Sequence, residues 1–189
     1  MKSFKREKTE QPVHIVIGNV TLEGDLTIPD VSKGIVLFAH GSGSRRKSPR
    51  NRYVASVLNK SKFATLLFDL LTPEEETIDI QTRHLRFDIE LLSIRLVGAT
   101  DWLGKNKEVK DLSVGYFGAS TGAAAALVAA VERPDVVHAV VSRGGRPDLA
   151  GKVLPSVQSP TLLIVGGNDP VVIDMNRGAM EQIRAEKEL

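Results

Sequence analysis

Gly118-Ala119-Ser120-Thr121-Gly122 is the stretch that decides the architecture of this chain. It has the form G-x-S-x-G. It lies where an apolar, β-favouring run (Leu112, Val114, Tyr116, Phe117) gives way to Ala123–Val131, a small apolar run that reads as a buried helix. A serine on so sharp a strand-to-helix turn has its hydroxyl pushed clear of the backbone. The glycines leave room for the strained turn and for close helix packing. The helix N-terminus behind it offers unpaired N–H groups to a developing oxyanion. Ser120 is therefore a candidate nucleophile. The bland alternative is a tight turn with a capping serine.

Outward from this turn, buried strands and helices alternate. His14, Val16 and Val20–Ile28 suggest a hairpin hinged at Gly18-Asn19. Continuous apolar runs at 34–39, 64–71, 112–117, 136–141 and 161–165 predict strands buried on both faces. Helices are expected at 50–62, 82–105, 123–131 and 173–187, with an acidic loop at 72–77. His138, inside an apolar strand, reads as a core residue. The expected fold is α/β, a three-layer sandwich with a mostly parallel sheet and an N-terminal antiparallel hairpin. Residues 1–12 are expected to form a solvated tail and 13–189 a single domain.

Composition narrows the function classes. The 189 residues are 42% apolar and 25% charged, with a net charge of +2, which gives no argument for nucleic acid or membrane as partner. Without cysteine, thiolate catalysis, disulfides and cysteine-held metals are excluded. The polar N-terminus does not resemble a signal peptide, and the longest apolar run is about half a membrane span. A cytoplasmic location is the expectation. No histidine–carboxylate cluster and no phosphate-cradling glycine loop are present in the sequence, so neither metal nor cofactor is expected.

Two further features sit at predicted strand ends, where open α/β sheets place their sites. After strand 34–39 comes His40-Gly41-Ser42-Gly43, in which Ser42 or Gly43 can aim an amide at an oxyanion together with the amide of Thr121. His40 reads as a brace for this loop, the alternative being a catalytic base. After strand 161–165 comes Gly166-Gly167-Asn168-Asp169-Pro170. Asp169 can orient an imidazole; the alternatives are a plain turn and Asp174 as the acid. Arg143, in the short segment 142–160, could meet a substrate carboxylate, or brace a loop. The chain order for such a site is Ser, Asp, His, and no histidine follows Asp169.

The motifs Phe38–Ser44, Gly115–Gly122, Ser142–Leu149 and Leu163–Asp169, in this order, resemble the α/β-hydrolase superfamily and within it the dienelactone hydrolase-like group. The resemblance implies Ser120 as nucleophile, Asp169 as acid, and the Ser42 or Gly43 and Thr121 amides as oxyanion hole. Dienelactone hydrolases proper use a cysteine, so their specific substrate does not carry over. Family members continue with a strand, a loop bearing the base histidine and a final helix. By that comparison the domain is expected to be C-terminally incomplete, with an uncovered sheet edge that offers a route to a homodimer. The expected activity is hydrolysis of a small carboxylic ester or lactone through an acyl-enzyme. The competing expectation is a non-catalytic binding module of the same fold.

Overall fold

A computed structural model describes residues 9–189. The expected tail lies outside the described residues as far as Lys8. From Thr9 onward the chain is strand: β1 (Thr9–Ile17) and β2 (Val20–Ile28) form the predicted antiparallel hairpin, closed where Ile17 pairs with Val20. Then follow β3 (Ile35–Ala39), α1 (Pro49–Lys60), β4 (Ala64–Phe68), α2 (Pro73–Thr82), α3 (Ile89–Leu103), β5 (Val114–Ala119) and α4 (Thr121–Glu132). The chain goes on through β6 (Val137–Arg143), a 3₁₀ segment (Pro147–Ser156), β7 (Thr161–Ile164), α5 (Pro170–Gln182) and β8 (Lys187–Glu188).

The eight strands lie in the order β1-β2-β4-β3-β5-β6-β7-β8, and every pair from β4 to β8 is parallel. The period-two alternation of strand side chains distributes them between two cores. Leu37 of β3 and Tyr116 of β5 enter the larger core, packed with α3 and α4. Their neighbours Phe38 and Phe117 point to the other face and meet Ala55 of α1 and Leu67 of β4. Helices thus cover both faces, as the continuous apolar runs require. On β7, Leu162 and Ile164 stand exposed. No helix among the described residues is long and apolar enough to cross a membrane.

Four local expectations are corrected. The acidic stretch 72–77 is not a loop but the start of α2. Thr72 accepts a bond from the Glu75 amide, the Glu75 carboxylate accepts from the Thr72 amide, and Pro73 fills the first turn. Helix α3 starts at Ile89 rather than residue 82, because Asp88 caps it through the Leu91 amide after a 3₁₀ turn at Leu85–Phe87. His138 is exposed, its Nδ1 2.8 Å from the Val136 carbonyl, at a register shift where β5 pairs with Val137 and then Ala139 and leaves it unpaired. The last helix ends at Gln182 instead of residue 187, and Lys187–Glu188 pair with Thr161–Leu162 of β7 as an eighth strand.

Candidate active site

The turn between β5 and α4 holds Ser120 at φ +50°, ψ −125°, a left-handed backbone for a residue with a Cβ. Such a conformation costs on the order of 1–3 kcal/mol and persists only where the surroundings enforce it. Here they do. The Ser120 carbonyl accepts from the amides of Ala123 (3.1 Å) and Arg146 (3.0 Å). Backbone also crowds both glycines of the motif. A Cβ at Gly122 would stand 2.1 Å from the Ala39 carbonyl oxygen, and one at Gly118 2.5 Å from Ala123 Cα. Gly41 is confined from the other side, since a Cβ there would come 2.7 Å from that of Ser120. Helix α4 is therefore seated directly on the ends of β3 and β5, with the half-buried Ser120 side chain at its tip.

Ser42 and Gly43 lie exposed in the loop after β3, next to this tip. Their amides donate to no protein group in the recorded hydrogen bonds, whereas the Ser44 amide closes a turn onto the Gly41 carbonyl. The Thr121 amide belongs to the first turn of α4, which a helix leaves without an internal partner. The Ser42 and Gly43 amides thus line the same cleft as Ser120 without a protein acceptor among the described residues, and the Thr121 amide opens the helix that follows it.

His40 braces the loop. Its Nε2 accepts the Leu70 amide at 3.0 Å, so the proton sits on Nδ1, which donates to the Gly41 carbonyl at 3.0 Å. Burial holds this imidazole below the usual histidine value of 6.5. Both ring nitrogens are spent on backbone, which leaves none to take a proton from Ser120. With the folded pKa below the unfolded one, the unfolded chain takes up the proton first on acidification. The contribution of His40 is thus fully present above about pH 6.5 and is lost as pH falls below it. The stability gap between the wild type and His40→Gln, measured by urea unfolding, is expected to shrink from pH 7.5 to pH 5. A gap constant over that range would contradict a neutral, bracing His40.

A second brace is ionic. The Arg46 guanidinium meets Asp69 and, at 2.6 Å, Glu23, while its own amide donates to Asp69 at 2.7 Å. Asp25, 5% exposed, takes Lys47 at 2.8 Å. The loop from His40 to Ser48 is so tied to β2 and to the end of β4. Removing one partner of a mostly buried pair leaves an uncompensated charge. Arg46→Met is expected to cost roughly 2–4 kcal/mol, discounted for the residual water access of the guanidinium. Arg46→Met/Asp69→Asn should recover part of that loss in thermal unfolding. A double variant no more stable than the single one would refute the account.

The remaining candidates occupy adjoining strand ends. In the sheet register Arg143 of β6 lies between Ala119 of β5 and Ile164 of β7, one residue short of Ser120. Asp169, exposed, caps α5 through the Val172 amide at 3.2 Å. Asp174 lies one turn further on, 3.7 Å from Arg177. Besides His40, the other three histidines serve elsewhere. His14 is on the edge strand β1. His84 is exposed and bound to the Thr82 hydroxyl. His138 sits at the start of β6, roughly 16 Å along the strand from its active end. Ser120, Thr121, Ser42, Gly43 and Arg143 are brought to one cleft end of the sheet, with Asp169 two strands over. Among the described residues, none of the four histidines hydrogen-bonds Ser120 or Asp169.

No family model matches the chain. A crystal structure of dienelactone hydrolase from Anabaena variabilis superposes with a TM-score of 0.93 at 64% identity, covering 95% of this chain and 83% of that one. The chain belongs to the dienelactone hydrolase-like group of the α/β-hydrolases. Est1E from Butyrivibrio proteoclasticus, 14% identical with a TM-score of 0.76 over 95% of this chain and 88% of its own, shares the fold. Two strains of Mycobacterium tuberculosis hold a curated relative named "Putative phosphoribosyl transferase", 57% identical over 180 residues. That match takes in 95% of this chain, which spans only 40% of the relative's length.

Several residues that shape the site of this α/β-hydrolase have no signature in its sequence. Arg46 and Asp69 are 23 positions apart and meet only because β4 lies beside β3. Arg50 and Asn51, in the first turn of α1, line the same 750 Å³ cleft as Ser120 and Arg143. Only the topology, not a motif, could have paired them.

Proposed function

We propose that this protein is a serine hydrolase that cleaves a small carboxylic ester or lactone through an acyl-enzyme on Ser120. The observation that carries the reading is the strained backbone of Ser120, on one cleft with the Ser42 and Gly43 amides, which have no protein acceptor among the described residues. In the reaction, the Ser120 oxygen attacks the ester carbonyl carbon and a base takes its proton. The oxyanion forms against the amides of Thr121 and of Ser42 or Gly43. Collapse breaks the bond to the alcohol oxygen, which leaves with that proton. Water, deprotonated by the same base, then attacks the acyl carbonyl carbon. Collapse releases the acid and returns the proton to Ser120. Asp169 is the acid that orients the base.

The base in this scheme is a histidine, and none of the four in these 189 residues is placed to act as one. That same observation favours a second reading, a non-catalytic binding module of the hydrolase fold. Membership of a hydrolase group at 64% identity supports the first reading. The name of the mycobacterial relative describes a protein of which this chain spans 40%. Fluorophosphonate labelling read by mass spectrometry separates the two readings. An adduct on Ser120, absent from Ser120→Ala, is expected. A folded protein that never forms one would leave the binding module standing.

A further inference from the structure

We propose that the cleft beside Ser120 contains an anion subsite, formed by Arg143 and Arg50 and oriented by Asn51, for a dianionic phosphate monoester carried by the substrate. Its role in choosing substrate rests on Ser120 as the reacting group; its binding of phosphate does not.

The cleft measures about 750 Å³, and its lining includes Arg45, Arg50 and Arg143 but no Asp or Glu. Arg45 is already engaged, 2.5 Å from Glu76. Arg50 and Arg143 have no ion-pair partner among the described residues. For Arg143 this is exceptional. Of the seven arginines that are buried or half-buried among the described residues, the other six each hold a carboxylate. Taking a guanidinium partly out of water without a counter-charge is costly, and a second cation beside it adds to the cost. Burial, and then the charge of Arg50, hold Arg143 below the ordinary arginine value. Its one recorded protein partner is neutral, the Asn51 amide oxygen at 3.4 Å. Asn51 is 3% exposed and fixed on α1, so it can aim the guanidinium without discharging it.

Two unpaired guanidiniums on one cleft, the exposed Arg50 near enough for its charge to act on Arg143, match a dianion in charge. A carboxylate saturates one guanidinium with two parallel bonds, whereas a phosphate monoester offers three oxygens and close to two charges. The first turn of α1 adds to the field, since it holds no acidic residue and its cap residue Ser48 makes no side-chain bond. Arg143 is one residue short of the nucleophile in the sheet register. A phosphate held there belongs on the same small molecule as the ester that Ser120 attacks.

Calorimetric titration with phenyl phosphate and with benzoate tests the subsite without any turnover. Phenyl phosphate is expected to bind the wild type, and benzoate at least about tenfold more weakly. Arg143→Gln and Arg50→Gln should each weaken phenyl phosphate by about tenfold or more, and Arg143→Lys, which keeps the charge but not the fork, should fall between. Ser120→Ala should bind as the wild type does. Affinity should drop between pH 8 and pH 5.5 as the phosphate, whose second pKa is about 6, gains a proton. Thermal unfolding of each variant verifies that it is folded. No binding by the wild type, equal binding by the arginine variants, or benzoate binding as tightly as phenyl phosphate would each overturn the proposal. Phosphate binding that survives while Ser120 never labels would keep the subsite and discard the hydrolase reading.

Discussion

Gly122→Ala is expected to destabilise the fold severely. One methyl group is added, yet its carbon would lie 2.1 Å from the Ala39 carbonyl oxygen and 2.6 Å from that of His40. Both obstacles are main chain. They cannot rotate away as a side-chain tip could, and they belong to the end of β3 and the loop that follows it, which Gly122 of α4 presses against. Overpacking a core commonly costs 1–3 kcal/mol. Here relief requires moving a helix off a central strand, so the expected loss is roughly 4 kcal/mol or more, in the range reserved for gross steric or cavity effects. For a chain of this size that lowers Tm by on the order of 10 °C or more, if soluble protein is obtained. Gly167→Ala is the control, because a Cβ there meets nothing within 4 Å and its φ is not left-handed. Calorimetry of the two variants decides the matter: equal Tm values would mean that the motif's second glycine is not a steric requirement.

That contact explains why the fold was legible from a short stretch of sequence. G-x-S-x-G between an apolar strand and an alanine-rich helix encodes a close approach of three backbones, and close approaches admit few residue types. The buried parallel strands were legible for a similar reason: burial on both faces demands unbroken apolar runs, as in Ile35–Ala39 and Ala64–Phe68. Helix starts were harder, since they depend on single capping contacts. Thr72 and Glu75 did carry a capping-box signal, but three consecutive glutamates drew the reading toward a loop. His138 is exposed because a register shift between β5 and β6 leaves it unpaired between Val137 and Ala139, an irregularity that an apolar run does not announce. The loop after β3 and the turn at Ser120 could be placed from sequence, whereas the ionic brace at Arg46 and the Arg50–Arg143 pair could not. Charged side chains carry no periodic signature, and their partners are set by strand order.

Imidazole supplied from solution is expected to accelerate fluorophosphonate labelling of Ser120 by on the order of tenfold to a hundredfold at about 0.1 M. A positioned general base contributes roughly 10²–10⁴ to such a step, and freely diffusing imidazole forfeits the advantage of being held in place, so recovery is partial. On the proposed reading the rest is in place: the strained backbone of Ser120 and a cleft of about 750 Å³ that can admit a five-membered ring. The acceleration should saturate with concentration if imidazole binds beside Ser120, and rise with pH as the free base forms. Asp169→Asn should blunt it, since a carboxylate orients the ring and stabilises its charged form. The adduct on Ser120, rather than disappearance of an ester, is the proper readout, because imidazole attacks activated esters by itself. Ser120→Ala should abolish labelling at every imidazole concentration. If the folded wild type remains unlabelled at all of them, the groups around Ser120 do not form a hydrolase site, and the fold here serves binding alone. If Asp169→Asn is rescued as well as the wild type, Asp169 is only the cap of α5.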